Sequence, residues 1–172
     1  MAIFHRYKSE IHGNYRVAYL RSGVLMGGLL TLYVVARLLV GMPVERPTSL
    51  ASDGILLVGE LLLMAYYRAS LPERKITLKE AMLFGIGLAA VAAVVYGIAL
   101  WVIGLLSPQQ EALFTTSMTG QAVGADDPQL HYWAAWWGFY ACVMTLVLGG
   151  FGAFIGAIFF RTEKAEIKQH KQ

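Results

Sequence analysis

The sequence is short of charged residues, and it contains almost no cysteine. Charged residues make up 15% of its 172 residues, against about a quarter in an ordinary soluble domain, and hydrophobic residues reach 57%. The single cysteine, Cys142, lies inside an apolar run, which excludes an intrachain disulfide and a Cys/His zinc site. We therefore expect a membrane protein, in which lipid solvates the apolar surface.

Motifs that carry catalysis are also missing. The chain has no serine with a placed histidine and acid, no phosphate-binding glycine loop with its lysine, and no His-Glu-x-x-His. His5 and His12 lack a carboxylate partner, and His131 beside Asp126 and Asp127 is a weak metal signal. We expect no enzymatic activity, no cofactor and no bound metal.

Four apolar runs cover residues 17–41, 50–67, 78–106 and 133–160. Each is long enough to cross about 30 Å of hydrocarbon as an α-helix, the second only just. Helix is expected because an open strand would leave its backbone groups unpaired in lipid. The predicted fold is an all-α membrane domain of four transmembrane helices at 17–160, between an N-terminal segment at 1–16 and a basic tail at 161–172.

The positions of Lys and Arg orient these helices, because basic residues concentrate in the cytoplasmic connections of membrane proteins. Eleven of them lie in the N-terminal segment, the second loop and the C-terminal tail: Arg6, Lys8, Arg16, Arg68, Arg74, Lys75, Lys79, Arg161, Lys164, Lys168 and Lys171. The first loop has only Arg46, and the loop at 107–132 has none. We expect both termini in the cytoplasm and four crossings of a bacterial inner membrane. The net charge of +3 follows this topology, so the expected partner is the lipid bilayer and not nucleic acid.

Local signals mark the start of the third span and of a short helix outside the membrane. Thr77 and Glu80 have the spacing of a capping box. Pro108 suits the first residue of an outer helix, with Gln110 at the capping-box position. This helix would have an apolar side, against the membrane surface or the bundle, formed by Leu113, Phe114 and Met118.

The N-terminal segment mixes basic and apolar side chains. Apolar residues at positions 4, 7, 11 and 15 recur at helical spacing among His5, Arg6, Lys8 and Arg16. This pattern predicts a helix lying on the anionic cytoplasmic leaflet.

Small residues recur every four positions on three of the predicted spans. Helices in lipid associate by close packing, and small residues permit the closest approach. The small-residue faces are Gly23 and Gly27 on the first span, Gly85, Ala89, Ala93 and Gly97 on the third, and Gly149, Ala153, Gly152 and Gly156 on the fourth. Spacing leaves open whether they pack within one chain or between chains. The fourth span, with two adjacent stripes, is the better candidate for a homodimer or for docking onto a larger complex.

Arg37 and Glu60 are charged residues inside the predicted spans. An ionised carboxylate at the centre of a span costs about 2.5 to 3.5 kcal/mol on insertion scales, so we expect Glu60 to be paired or protonated. Arg37 is the best partner, because the two α-carbons would differ in depth by roughly 5 to 9 Å and the side chains of an antiparallel hairpin lean towards each other. Such a pair would fix helix register, or it would serve as a proton relay or a substrate counter-charge.

Three tryptophans, Trp133, Trp136 and Trp137, cluster beside Tyr132 where the fourth span begins. Amphipathic rings favour the headgroup level. We expect them to anchor this helix at the outer interface rather than to form an aromatic ligand box.

The chain contains four short motifs: Tyr19-Leu20-Arg21-Ser22-Gly23, Tyr67-Arg68, Ile76-Thr77-Leu78-Lys79-Glu80-Ala81 leading to Gly85, and Tyr96 followed by Ser107-Pro108. In these the chain resembles a family of uncharacterised four-helix inner-membrane proteins common in Bacteroidota. The resemblance covers most of the chain and is weakest in the outer loop. It implies the four-helix topology, and it brings no activity and no catalytic residues.

Two classes of function fit these features. The first is a non-enzymatic accessory or scaffold subunit that packs against itself or a larger membrane complex through its small-residue faces. The alternative is a small transporter or ion-coupled channel component that uses Glu60 with Arg37. The surroundings of Glu60 discriminate between them, because a transport role needs access to the carboxyl group.

Overall fold

A computed structural model of the chain describes residues 15–41, 50–71 and 76–161. Within these ranges it forms five helices: α1 (Tyr15–Leu39), α2 (Leu50–Ser70), α3 (Leu78–Leu106), α4 (Pro108–Thr119) and α5 (Leu130–Phe160). All but α4 are long and apolar enough to cross a membrane. The helical fold with four candidate spans is thus as predicted. The predicted interfacial helix at 1–16 lies almost entirely outside the described residues, and so does the tail beyond Arg161.

The capping box at the start of α3 is confirmed. The Thr77 hydroxyl accepts a hydrogen bond from the Glu80 N–H at 3.2 Å, and the Glu80 carboxylate accepts one from the Thr77 N–H at 3.0 Å. Helix α3 then has the predicted bounds. The prediction is two residues out at each end of α1, three short at the end of α2 and three short at the start of α5.

The second predicted cap, at the start of α4, is wrong. Pro108 is the first residue of the helix as expected, but the Ser107 side chain makes no capping hydrogen bond. Ser107 also ends α3, where its N–H donates to the Ile103 carbonyl, and this holds its backbone at φ −130° and ψ 63°. A capping side chain normally needs an extended backbone. Gln110 therefore has no box to complete.

Helix α3 is central to the bundle, and its most extensive interface is with α5, followed by that with α1. Gly85 packs against Ala153 of α5, and Gly97 packs against Gly138, so α3 and α5 run in opposite directions. A Cβ added at Gly97 would lie 2.8 Å from the Gly138 carbonyl oxygen. The two backbones approach closely because these positions carry little or no side chain.

The helices of two further interfaces, α1 with α3 and α2 with α5, run parallel to each other. Gly23 of α1 packs against Val91 of α3, and Gly27 packs one turn further on. Helix α2 fits beside α5, where Gly152 contacts Leu57 and Gly156 contacts Leu61. The four long helices therefore alternate in direction. Large apolar side chains such as Phe151, Phe154 and Ile158 of α5 are exposed on the outside, where lipid would cover them.

Helix α4 packs against the end of α3 and the beginning of α5. We call this end of the bundle the α4 end. Its buried side differs from the predicted apolar side: Phe114 is buried, but Leu113 and Met118 are 63% and 40% exposed. The remaining buried positions are Glu111, Ala112 and Thr115. Two of these three are polar, which is why hydropathy alone did not show this face.

Candidate functional site

All ten residues of the predicted small-residue faces are buried within the one chain. On α5 the two stripes face different neighbours. Gly149 and Ala153 pack against α3, whereas Gly152 and Gly156 pack against α2. The close contacts that these stripes permit are therefore made inside the bundle.

Glu60 occupies the space that the α5 glycines leave open. A Cβ at Gly152 would overlap its carboxyl group, and one at Gly149 would lie 3.6 Å from its Oε2 and 2.5 Å from the Cβ of Ala89. Glu60, Ala89 and Gly149 thus lie at one level of the bundle, where α2, α3 and α5 meet. The side chain is 0% exposed.

Neither carboxyl oxygen of Glu60 has a hydrogen-bond partner among the described residues. A buried polar group without a partner costs about 1 to 3 kcal/mol by mutational measurement, and an unpaired buried charge costs more. The neutral acid is therefore the form that suits these surroundings. Native proteins satisfy most buried polar groups, so an orphaned one needs an explanation.

The predicted ion pair between Arg37 and Glu60 is not formed in the structure. Gly23 of α1 packs beside Leu88 and Val91, which is the level of Ala89 and hence of Glu60. Arg37 lies fourteen residues further along α1, or roughly 20 Å towards the α4 end. The expected depth difference of 5 to 9 Å came from counting turns from the helix ends. That count left out how far α1 extends past the start of α2.

Arg37 instead belongs to a polar group nearer the α4 end. Its guanidinium carbon lies 5.9 Å from the centre of the Tyr33 ring. Arg37, Tyr33 and Asp53 are all within electrostatic reach of the hydroxyl of Tyr96, whose side chain is buried. We call these four residues the Tyr96 layer. Tyr96 is seven residues beyond Ala89 in α3 and Asp53 is seven residues before Glu60 in α2, so both lie roughly 10 Å from the level of Glu60, and the α-carbon of Arg37 lies roughly 10 Å further towards the α4 end.

A third polar site lies under α4. Glu111 is 8% exposed, and the Thr115 hydroxyl donates a long hydrogen bond of 3.5 Å to its Oε1. The indole N–H of Trp137 in turn donates to Thr115 Oγ1 at 3.3 Å. Burial raises the pKa of Glu111 to about 7, and the hydrogen bond from Thr115 acts in the opposite direction. Glu111 therefore titrates near neutral pH.

A cavity of about 40 Å³ adjoins Glu111. Its walls come from α1, α3, α4 and α5, and they consist of Val34, Leu38, Leu100, Ile103, Gly104, Ser107, Gln110, Glu111, Phe114 and Trp137. This volume is enough for a few water molecules, since a cavity needs about 10 to 15 Å³ to hold one.

The three predicted interfacial tryptophans have different surroundings. Trp136 is 54% exposed, as a membrane anchor would be. Trp137 instead packs its ring edge against Phe114, with 5.0 Å between centroids, in addition to its hydrogen bond with Thr115. Trp133 stacks against Trp137 at 6.3 Å. Trp137 thus holds α4 onto α5.

Away from the α4 end, large side chains fill the core below Glu60. The rings of Tyr67 and Phe84 stack at 4.3 Å with an interplanar angle of 4°. Met64 fits between Gly85 of α3 and Gly156 of α5. The Tyr96 layer and Glu111 both lie on the other side of Glu60. The packed side chains of Tyr67, Phe84 and Met64 therefore separate the Glu60 carboxyl group from the end of the bundle opposite α4, where Thr77 begins α3.

Sequence reasoning missed Glu111, Asp53 and Tyr96. The signal for Glu111 was available, because Glu111, Phe114 and Thr115 recur at helical spacing and must share one face of α4. Nothing in the sequence gives Tyr96 its neighbours, which depend on the register of three helices.

Among the described residues no group of three His, Cys, Asp or Glu side chains is placed to hold a metal ion. No family model matches the chain, and no curated protein or solved structure matches it.

Proposed function

We propose that this chain is a small ion-coupled channel or transport component of a bacterial inner membrane, in which Glu60 takes up and releases a proton. The observation that carries the proposal is a fully buried carboxyl group in the middle of a candidate span, with no hydrogen-bond partner in the part of the chain that the structure describes. Ionisable groups inside a membrane are costly, and proton relays are among their main uses.

Access to Glu60 is proposed from the α4 end. The polar groups of the bundle follow one another in that direction. The Tyr96 layer begins roughly 10 Å from Glu60. Glu111 comes next, beside Gly104, which is fifteen residues beyond Ala89 and therefore roughly 22 Å from the level of Glu60. These steps are too long for direct proton transfer. Water entering between the helices would have to complete the path.

The orientation in the membrane forms part of the proposal. The excess of Lys and Arg at the segments before α1, between α2 and α3, and after α5 supports a cytoplasmic location for both termini. The α4 end then faces the periplasm, and protons would enter from that side.

The experiment is proton flux into liposomes. The full chain is reconstituted with pyranine inside, and a potassium diffusion potential set with valinomycin drives protons inward. We expect faster acidification than in protein-free liposomes, and we expect Glu60→Gln to abolish the difference. Asp126→Asn, which removes an exposed acid at the α4 end, is the matched control and should conduct normally. Wild-type flux equal to that of empty liposomes would contradict the proposal.

Infrared spectroscopy supplies a second readout. The carbonyl stretch of a protonated carboxylic acid should change with pH in the wild type, and the component assigned to Glu60 should be missing in Glu60→Gln. This identifies Glu60 as the titrating group independently of the flux measurement.

An accessory or scaffold subunit is the second candidate. Its support is an open groove between α3 and α5 near the α4 end, of about 320 Å³, formed by Gly97, Gly138, Trp101, Phe139 and their neighbours. Side chains of a second copy or of another membrane protein would fit there. Gentle extraction should then retain a stoichiometric partner, and Ala135→Trp, which fills the groove, should release it. Retention of the partner by the variant would count against this role.

A further inference from the structure

We infer that the cavity under α4 is a binding site for a small primary ammonium ion, with the carboxylate of Glu111 as its counter-charge. The inference does not rest on the proposed role of Glu60, because the two carboxyl groups lie roughly 22 Å apart along the bundle and Glu111 enters that proposal only as a polar group on the path to Glu60. Either can fail without the other.

The cavity has a built acidic site. Glu111 is more than nine-tenths buried, yet its only hydrogen-bond donor among the described residues is Thr115, on Oε1 at 3.5 Å. Oε2 points towards Gly104, where an added Cβ would lie 2.8 Å from it. A side chain at position 104 would thus displace the carboxyl group. The glycine keeps this oxygen available to a ligand in the cavity.

The remaining walls indicate the chemistry of the ligand. Ser107 and Gln110 offer neutral oxygen acceptors beside the carboxylate, and Phe114 and Trp137 contribute aromatic rings. Aromatic faces attract organic cations. The rest of the wall is aliphatic, which suits a short alkyl chain. A bare alkali-metal ion would want more oxygen ligands than these three side chains supply.

The size of the cavity limits the ligand to a few heavy atoms. A cavity volume of about 40 Å³ accommodates an ion such as methylammonium or ethylammonium. Larger amines would have to displace α4, and a quaternary ammonium ion would leave Oε2 of the carboxylate without a hydrogen-bond donor, since Thr115 reaches only Oε1.

Charges around the site favour a cation that competes with a proton. No other wall residue among those described is titratable. Arg37, which lies between Val34 and Leu38 in α1, has its guanidinium over the Tyr33 ring. Because the pKa of Glu111 is about 7, binding should be strongest above neutral pH and weaken as the carboxyl takes up a proton.

The test is a thermal-unfolding and calorimetric titration of the full chain in nanodiscs at pH 8.5. The probes are methylammonium and ethylammonium chloride, with sodium and tetramethylammonium chloride at equal ionic strength. We expect saturable stabilisation by the two primary amines alone, lost in Glu111→Gln and retained in Asp126→Asn. In the wild type, the apparent Kd should rise at least tenfold at pH 5.5.

A second variant keeps the test independent of Glu111→Gln alone. Leu38→Phe, which narrows the cavity and leaves the acid in place, should weaken ethylammonium more than methylammonium. The inference is overturned if sodium stabilises as much as the amines, if Glu111→Gln binds like the wild type, or if wild-type binding does not depend on pH.

Discussion

Glu60 of α2 and Gly152 of α5 are in direct contact, and the absence of a side chain at position 152 is what lets the carboxyl group lie between the helices. A Cβ there would overlap Glu60 Oε2 and lie 3.1 Å from Leu57 Cδ2. The glycine and the acid therefore form one packing unit.

Gly152→Ala should lower the free energy of unfolding by about 1 to 3 kcal/mol, the usual cost of overpacking a closely packed core. Gly150→Ala is the matched control, because a Cβ at Gly150 meets no atom within 4 Å. Unfolding in mixed micelles with increasing dodecyl sulfate measures both. Combining Gly152→Ala with Glu60→Ala should recover about 0.5 kcal/mol or more as coupling. Simple additivity would show that the two residues do not share the space.

Glu60→Met should stabilise the bundle. The variant removes a buried carboxyl group that has no hydrogen-bond partner within residues 15–41, 50–71 and 76–161, and whose burial costs about 1 to 3 kcal/mol, and it keeps a similar volume. The same micelle titration measures the gain. Leu56→Met, one turn earlier at a buried apolar position, is the control and should change stability by less than about 1.5 kcal/mol. A loss of stability in Glu60→Met would mean that the acid has a partner which holds the helices together.

How much of this could be read from the sequence depends on the range of the forces involved. Helix bounds follow from local hydropathy and caps, so α3 could be predicted to the residue from its apolar run and the pair Thr77 and Glu80. The small-residue faces follow from the four-residue spacing of Gly and Ala, although the spacing left open whether they pack within one chain or between chains.

The partner of each helix face does not follow from local pattern. Repeats of small residues at four-residue spacing occur on three helices, so any two could be matched, and the rotation of each helix is left undefined. The supposed Arg37 and Glu60 pair was wrong for this reason: depth was counted from the helix ends, whereas Gly23 fixes the register of α1 against α3. The spacing of Glu111, Phe114 and Thr115 showed that they share one face of α4, but the burial of that face arises only when α4 packs on the bundle.

Thr77→Ala should cost about 1 kcal/mol, because the hydroxyl satisfies the Glu80 N–H and positions the box that starts α3. Ser107→Ala supplies the contrast. Ser107 precedes α4 but makes no capping hydrogen bond with its side chain, so its loss should be nearly neutral. Equal effects of the two variants on thermal unfolding would show that the cap of α3 is not formed in the protein.

The stability of the protein should fall as the pH rises from about 5 to 8. Glu111 has a folded-state pKa of about 7, above the value of 4.5 for an unperturbed glutamate, so the folded state binds more protons than the unfolded state between these values. The stabilising contribution of the neutral acid is complete below pH 4.5 and is lost as the pH rises through about 7. The full difference is on the order of 3 kcal/mol.

Thermal unfolding at a series of pH values between 5 and 8 measures this slope. Glu111→Gln should reduce this slope, because the amide does not titrate and only other buried acids such as Glu60 would still contribute, whereas Asp126→Asn should retain it, since that carboxyl is exposed. An unchanged slope in Glu111→Gln would assign the pH dependence to another group.

Trp137→Phe should loosen α4 without unfolding the bundle. The variant deletes the N–H that reaches Thr115 Oγ1 at 3.3 Å and retains an aromatic ring near Phe114. One such hydrogen bond contributes about 0.5 to 1.5 kcal/mol. Because this hydrogen bond joins α4 to α5, its loss should appear as faster amide exchange confined to α4.

Hydrogen exchange followed by mass spectrometry separates α4 from the long helices. Trp136→Phe is the matched control, because its ring is 54% exposed and packs at 6.1 Å from Phe139 on the outer face of α5. It should leave exchange in α4 unchanged. If both variants accelerated exchange equally, the tryptophans would act together as membrane anchors, and the link from Trp137 through Thr115 to Glu111 would have no separate mechanical role.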